Sequence, residues 1–234
     1  MSLPLGLQLY RLGWALAGGF APGLLRSRAA KGKEDPARLS ERLGAASAQR
    51  PEGPMLWLHA ASVGEAQVAR LLIEAMAQRR PDLSFLVTTG TVTSARLMTS
   101  KPPVRTRHQF VPIDRPDAVA AFLDHWRPDA AVILESELWP NLLLAAHARS
   151  VPLALLNARM TPGSANGWRK ARASAARLLA CFDVICAADA RTAAALTELS
   201  GRPVPSPGNL KLAAPAPVVD PAALKAVKAA IAGR

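Results

Sequence analysis

The sequence has little of several residue types, and each shortage argues against a class of protein. Two cysteines in 234 residues are too few for a disulfide framework and indicate a reducing compartment. The four histidines follow no metal-ligand spacing, so we expect no metal site. Neither a G-x-G-x-x-G fingerprint nor a Walker motif occurs, so an ordinary dinucleotide or P-loop site is not expected.

Acidic residues are also scarce, with 17 Asp and Glu against 29 Lys and Arg and a net charge of +12. A balance this basic points to an anionic partner: nucleic acid, a membrane surface or a phosphorylated substrate. No acidic residue occurs between Leu138 and Phe182, where the basic ones are Arg149, Arg159, Arg169, Lys170, Arg172 and Arg177. They form either a solvated face or a phosphate-binding surface. Nucleic acid ranks third, because few aromatic residues interleave with the basic ones.

The apolar N-terminus is too short for a membrane span. The uncharged stretch from Leu12 to Leu25 falls short of the roughly 20 residues that a spanning helix needs. The start lacks the basic n-region of a signal peptide. Basic residues follow at positions 26, 28, 31 and 33. An apolar segment with a basic flank favours a helix lying in an anionic leaflet; the alternative is a helix packed on the domain.

Short apolar runs alternate with helical patterns along the rest of the chain. The predicted strands are MLWLHA (55–60), SFLVTT (84–89), HQFVP (108–112), AAVILE (130–135), PLALLN (152–157) and DVICAA (183–188). Strands that are apolar throughout are buried on both faces. The alternation therefore predicts an α/β fold, a doubly wound, Rossmann-like parallel sheet over residues 51–212. Residues 1–25 and 26–50 are predicted as a membrane-associated segment and a helical link.

Ligands of such sheets sit at the carboxyl ends of the strands, so we examined the residues that follow each strand. After the first, Ser62 and Glu65 match the S-x-x-E capping box of a helix start. The same carboxylate could instead remove a proton from an acceptor hydroxyl. The two interpretations carry about equal weight from spacing alone. Gly64 would let a substrate approach the backbone closely.

The other strand ends carry further candidates. Glu135 and Glu137 flank a serine after a very apolar strand, and two carboxylates there are costly unless they are paired or used. A helix start at Pro140 is the structural alternative. The turn at Thr89 and Gly90 could hold a phosphate or sugar, or could be only a strand-to-helix connection.

Five motifs together resemble the Kdo transferases, which transfer 3-deoxy-D-manno-octulosonic acid from CMP-Kdo to the lipid A precursor of Gram-negative bacteria. They are WLHAASVGE (57–65), VTTGTVTSA (87–95), ESELWPN (135–141), NARMTPGSANGW (157–168) and GNLKL (208–212). The resemblance implies the GT-B architecture, in which two Rossmann-like domains face a cleft. This chain would be the N-terminal, acceptor-binding one, acting with inversion and without metal or cofactor.

The resemblance also implies roles for residues. Glu65 would be the general base, and Glu135 and Lys211 would stabilise the transition state. The expected substrate-binding residues are Ser62, Gly64, Thr89, Gly90, Glu137, Asn141, Asn157, Arg159, Arg169, Lys170 and Arg172. The basic stretch 159–177 would face lipid A phosphates. Residues 1–25 would place the enzyme on anionic lipids at the cytoplasmic side of the inner membrane.

Two departures from the family pattern change the expectation. A GT-B enzyme needs about 400 residues, since each Rossmann-like half takes 150–200. We therefore expect residues 213–234 to be a linker and the start of a missing donor domain that binds CMP-Kdo, and the chain alone to be inactive. GNLKL is also followed by Ala213 and Ala214, where an aromatic residue and an acid are expected. The alternative function is a non-catalytic, membrane-associated domain that binds an anionic glycolipid.

Overall fold

The computed structural model describes residues 2–135, 137–214 and 220–232. Its strands are β1 (Met55–Ala60), β2 (Ser84–Thr89), β3 (Thr106–Phe110), β4 (Ala130–Leu134), β5 (Leu153–Ala158) and β6 (Val184–Ala187). Its helices are α1 (Leu5–Ala17), α2 (Ala21–Ala30), α3 (Leu39–Arg42), α4 (Val63–Arg79), α5 (Val92–Ser100), α6 (Pro116–Trp126), α7 (Pro140–Ala148), α8 (Pro162–Lys170), α9 (Arg172–Leu179), α10 (Ala190–Ser200) and α11 (Pro221–Ile231). Short 3-10 turns cover Gly18–Phe20, Pro36–Arg38 and Leu210–Ala213.

The strands form one parallel sheet in the order β3-β2-β1-β4-β5-β6. The strand order reverses between β1 and β4, which is where doubly wound sheets bind their ligands. The predicted fold class is confirmed, and each predicted strand overlaps an observed one. The largest shift is at β3, which begins two residues before the predicted 108–112.

Each face of the sheet packs against its own layer of helices. Met55 and Trp57 of β1 belong to a cluster that includes apolar residues of α6, α7, α9 and α10. Leu56 and Leu58 point the other way, into a cluster with α4 and α5. This alternation along one strand, with both neighbours buried, is why the strand sequence is apolar throughout.

The N-terminal segment is helical and contacts the domain along one side. Leu7 and Leu25 are buried, and the hydroxyl of Tyr10 donates to Asp114 Oδ2 at 2.8 Å. The opposite side exposes Leu5, Leu9, Leu12, Leu16, Phe20 and Leu24, spaced three to four residues apart. We call these six residues the apolar stripe. Among residues 2–135, 137–214 and 220–232, no helix is long and apolar enough to cross a membrane.

Residues 26–50 are held against the domain by the buried carboxylate of Glu41 and by a close contact between the backbones of Gly44 and Ala118. Glu41 is fully buried and accepts from the backbone N–H of Phe110 at 2.7 Å and from Arg38 at 2.8 Å. Gly44 has φ +92°, and a Cβ at this position would collide with the backbone of Ala118. Glycine is therefore required for this segment to pass against α6.

The C-terminal helix α11 differs from the rest of the fold. No residue of Pro221–Ile231 is buried, and its Leu224, Val227 and Ile231 side chains are exposed. The predicted linker from Ala213 to Pro221 lies largely outside the described residues.

Candidate active site

A cleft opens at the carboxyl ends of β1, β4 and β5. Its volume is about 360 Å³. The lining residues are Glu65, Glu135, Glu137, Arg159, Met160, Thr161, Asp189, Arg191 and Thr192. Three carboxylates predicted from two separate motifs, Glu65 from one and Glu135 and Glu137 from the other, therefore meet in one place.

Glu65 is positioned by the start of α4. The Ser62 hydroxyl caps the helix by accepting from the Glu65 N–H at 3.3 Å, and it donates to Glu65 Oε1 at 2.6 Å. Glu65 Oε2 accepts from the N–H of Ala61 at 2.8 Å, one residue earlier than in a standard capping box. The predicted local cap is thus confirmed in a modified form, and the role of Glu65 as a base stays a prediction.

The cleft makes Glu65 a weaker acid than an ordinary glutamate. Burial raises its pKa, hydrogen bonds from Ser62 and Ala61 oppose that rise, and the charges of Glu135 and Glu137 add to it. A carboxylate that holds a proton more readily is better suited to accept one from a hydroxyl near neutral pH.

Lys211 approaches this group from the far end of the chain. Its Nζ lies 2.7 Å from Glu135 Oε1, in an ion pair whose angles are not those of a hydrogen bond. A Cβ on Gly64 would lie 3.2 Å from the same Nζ. Gly64 therefore leaves the space that the lysine occupies, which is a structural reason for glycine at this position.

Asn157 places Lys211 rather than lining the cleft. Its side chain is buried, and its Oδ1 accepts from the backbone N–H of Leu210 at 2.9 Å. Asn157 has φ +54° and Glu135, at the end of the neighbouring strand, has φ +58°. Both residues adopt the left-handed conformation: Glu135 directly follows β4, and Asn157 lies at an irregularity of the β5–β6 pairing near the end of β5. A substrate contact from Asn157 stays a prediction.

Glu137 is held at the cleft by aromatic neighbours. The Trp139 indole donates to Glu137 Oε2 at 2.6 Å. Nε2 of the fully buried His59 lies 4.0 Å from the same oxygen and has no hydrogen-bond partner among the described residues. Burial lowers the pKa of His59 to about 4, so this imidazole is neutral at pH 7.

Thr89 and Gly90 face the protein interior. Thr89 is fully buried and its Oγ1 lies 2.9 Å from His108 Nε2. The Gly90 N–H donates to the carbonyl of Ala61 at 3.2 Å, joining the turn after β2 to the turn after β1. Both residues therefore make contacts within the protein, and their contact with substrate stays a prediction.

Asn141 is also occupied within the protein. It is 6% exposed, and its side-chain amide donates to the carbonyl of Asp114. Its backbone N–H donates to Asp114 Oδ2 at 2.9 Å. Asn141 therefore fixes the start of α7. Ser136, within the same motif, lies outside the described residues.

The predicted basic residues differ in what they contact: some interact with Glu198 on α10, and one lines the cleft. Arg169 makes an ion pair with Glu198 on α10, with its Nη2 2.8 Å from Oε2, and Arg172 donates to the carbonyl of Glu198. Lys170 is exposed to solvent. Arg159 alone of the predicted basic residues lines the cleft.

Sequence reasoning missed Asp189, Arg191 and Thr192, which also line the cleft. Asp189 caps α10 by accepting from the N–H of Thr192 at 2.8 Å. The available signal was the rule that ligand sites follow strand ends, because these residues come directly after β6.

Comparison with known proteins agrees with this geometry. The sequence profile of the 3-deoxy-D-manno-octulosonic-acid transferases matches residues 37–214. A probable mitochondrial 3-deoxy-D-manno-octulosonic acid transferase of Arabidopsis thaliana is 43% identical over 71% of this chain and 38% of its own length. The 3-deoxy-D-manno-octulosonic acid transferase of Rickettsia bellii is 34% identical over 78% of this chain and 43% of its own length.

The chain thus spans about two fifths of the length of these relatives. Among solved structures, a UDP-N-acetylglucosamine 2-epimerase aligns with 63% of this chain and 45% of its own at 11% identity, with a TM-score of 0.43, a likeness too distant to carry an argument. The family assignment rests on the profile match, which covers more than half of the chain and includes the cleft residues of β1, β4 and β5. The chain belongs to the 3-deoxy-D-manno-octulosonic-acid transferase family.

Proposed function

We propose that this domain is the acceptor-binding half of an inverting GT-B enzyme that transfers Kdo from CMP-Kdo to the lipid A precursor. The observation that supports it best is the placement of Glu65. Its carboxylate is buried at the sheet's ligand-binding edge, lines the cleft, and lies beside the Glu135–Lys211 ion pair. Family membership supplies the substrate class.

In this proposal Glu65 takes the proton of the acceptor hydroxyl. The freed oxygen attacks the anomeric carbon of Kdo, and the bond to cytidylate breaks on the opposite face with its electron pair leaving on CMP. The raised pKa of Glu65 matches it to proton uptake near neutral pH.

In this proposal Lys211 and Glu135 transfer no proton; their role is electrostatic. With its Nζ next to Glu135 Oε1, Lys211 would offset the repulsion among three carboxylates and stabilise negative charge that develops during transfer. CMP-Kdo would bind to a second domain of the whole protein, facing this cleft. No cofactor is part of the proposal.

The N-terminal helices would bring the domain to its lipid substrate. The apolar stripe is followed by a basic flank that contains Arg26, Lys31 and Lys33. Such a surface suits an anionic leaflet, and we place it at the cytoplasmic side of the inner membrane. Arg159 at the cleft and the exposed Lys170 would face acceptor phosphates.

The test separates chemistry from helix capping at Glu65. We expect the chain alone to bind the lipid A precursor without turnover, and addition of the C-terminal part of the Rickettsia bellii relative to restore CMP-Kdo-dependent transfer. Glu65→Gln should then lower transfer by a factor of about 10² to 10⁴, the usual contribution of a general base.

Glu65→Gln should change stability little, because glutamine also serves in a capping box. Glu74→Gln, an exposed position on the same helix, is the matched control and should leave transfer unchanged. If Glu65→Gln retains transfer, Glu65 is a capping residue only. If the lipid binds but no donor half restores transfer, the alternative of a non-catalytic glycolipid-binding domain is favoured.

A further inference from the structure

Asp114, in the turn after β3, is a buried carboxylate to which the proposed reaction assigns no role. It is 1% exposed. It lies between two parts of the molecule that the proposed function uses separately. One is the segment from Glu135 to Asn141, which runs into the first residues of α7 and which we call the 135–141 loop; Ser136 within it lies outside the described residues. The other is α1, which bears the apolar stripe.

On the α7 side, Asp114 supplies the helix cap. Its Oδ2 accepts from the N–H of Asn141 at 2.9 Å and its Oδ1 accepts from the N–H of Leu142 at 2.8 Å. The residue at the N-cap position is Trp139, whose indole can only donate. The orphan N–H groups of this helix therefore depend on a carboxylate 27 residues earlier in the chain.

On the α1 side, the same oxygen accepts a second hydrogen bond. The Tyr10 hydroxyl lies 2.8 Å from Asp114 Oδ2, the atom that also receives the Asn141 N–H. Burial and, to a smaller extent, the negative charge of Asp114 raise the pKa of Tyr10, so the phenol keeps its proton and stays a donor. One carboxylate thus joins α1 to the first turn of α7.

The 135–141 loop is held at both of its ends. At its start, Glu135 pairs with Lys211. At its end, Asn141 is bound by Asp114, and between them Trp139 donates to Glu137. We propose that Asp114 is a positioning residue that fixes the 135–141 loop, and that Tyr10 is the contact through which α1 takes part in holding it. The proposal rests on the proposed function for the importance of the loop, but its geometry can be tested directly.

The test uses the indole N–H signals of the 234-residue chain in ¹⁵N-tryptophan NMR spectra, with Trp139 assigned by Trp139→Phe. Asp114→Asn keeps the size of the side chain but removes its charge and turns one acceptor into a donor. We expect this variant to shift or broaden the Trp139 signal. Trp57 and Trp126 donate to Thr88 and Gln109 in the core and serve as internal references, so their signals should stay in place.

Two further variants keep the test decisive. Asp220→Asn changes a cap of the same chemistry at the exposed start of α11 and should move none of the three signals. Tyr10→Phe removes one hydroxyl and should shift Trp139 in the same direction as Asp114→Asn, by less. If Asp114→Asn does not fold, Tyr10→Phe tests both parts of the proposal, because it perturbs the same carboxylate, and an unchanged Trp139 signal would then overturn both.

An unchanged Trp139 signal in a folded Asp114→Asn variant would overturn the positioning role. So would equal movement of all three signals, since that would show a loss of stability throughout the domain. An unchanged Trp139 signal in Tyr10→Phe would overturn the link to α1. If the proposed function fails, because Glu65→Gln retains transfer or because no donor half restores it, these spectra should still change as expected, so failure of the function and failure of this inference are distinguishable.

Discussion

The helices α4 and α7 both follow strand ends that supply cleft residues, and they are capped in different ways. The start of α4 is capped by its own residues, because Ser62 accepts from the Glu65 N–H and Glu65 accepts from the Ala61 N–H. The start of α7 is capped by Asp114, from the turn after another strand. In the first case the proposed catalytic carboxylate also holds the helix; in the second a separate carboxylate does so.

This difference separates the role of Glu65 from the roles of Glu135 and Glu137. Glu65 is rigid because capping hydrogen bonds occupy both of its oxygens, and those bonds limit the rise of its pKa. Glu135 and Glu137 have no part in holding α7, because Asp114 does that. They can therefore interact with Lys211 and with a substrate.

Breaking the remote cap should have the largest effect on stability. Asp114→Ala leaves the N–H groups of Asn141 and Leu142 and the Tyr10 hydroxyl without their acceptor. A buried donor without a partner costs about 1–3 kcal/mol, so we expect a loss of about 3 kcal/mol in the free energy of unfolding, measured with urea. The exposed cap variant Asp220→Ala should lose well under half as much. Similar losses in both variants would contradict the distinction between remote and exposed caps.

Removing only the α1 contact should cost less. Tyr10→Phe deletes one hydrogen bond to a charged group, which contributes about 1.5 kcal/mol. Burial raises the pKa of Asp114 to about 6, and the Tyr10 hydrogen bond lowers it. The variant should therefore move the Asp114 midpoint above 6 in a ¹³C NMR titration. A midpoint that stays or falls would show that the phenol does not stabilise the carboxylate.

Breaking the local cap should cost about 1 kcal/mol, the usual loss when serine at an N-cap becomes alanine. In Ser62→Ala, Glu65 loses a hydrogen bond that lowers its pKa, so its carboxyl should titrate at higher pH than in the parent chain. Unfolding in urea and a carboxyl titration measure the two effects. Ser40→Ala, on the short helix α3, provides a serine control away from the cleft.

The smallest expected effect is a change in folding stability with pH that comes from the Glu65 carboxyl group. Its pKa in the fold is raised above the ordinary 4.5, so the folded state holds a proton that the unfolded state has released. Stability from this group is therefore present at pH values below 4.5 and falls as pH rises through the raised pKa. The stability of the parent chain relative to Glu65→Gln should decline as pH rises from about 4 to 8 in a urea series. A rise instead would contradict the raised pKa.

The sequence predicted the sheet because its evidence is local. An apolar run such as residues 130–134 is typical of a strand buried on both faces, and the alternation of such runs with helical patterns predicts a covered parallel sheet. The capping residues Ser62 and Glu65 were recognised for the same reason, since three positions separate them. The rule on carboxyl strand ends then brought Glu65, Glu135 and Glu137 to one edge.

The contacts that the sequence did not predict join distant positions. Asp114 meets Asn141 across 27 residues, and Arg169 meets Glu198 across 29 residues. No periodicity or spacing rule encodes such pairs, because they depend on how two connections cross in space. Arg169 was expected to face a phosphate because it lies in an acid-free basic stretch and because the family resemblance implied such a contact. A neighbouring acid on α10 already pairs with it.

The left-handed backbone conformations of Glu135 and Asn157 also determine which amino acids these two positions tolerate. Glycine, asparagine and aspartate adopt positive φ with little penalty, whereas valine and isoleucine do so rarely. In a saturation scan, positions 135 and 157 should reject the β-branched residues, apolar valine and isoleucine and polar threonine alike. Glu135→Asn therefore removes the carboxylate and keeps the backbone, so its phenotype reports on the chemistry, while Glu135→Val would report on the shape of the chain.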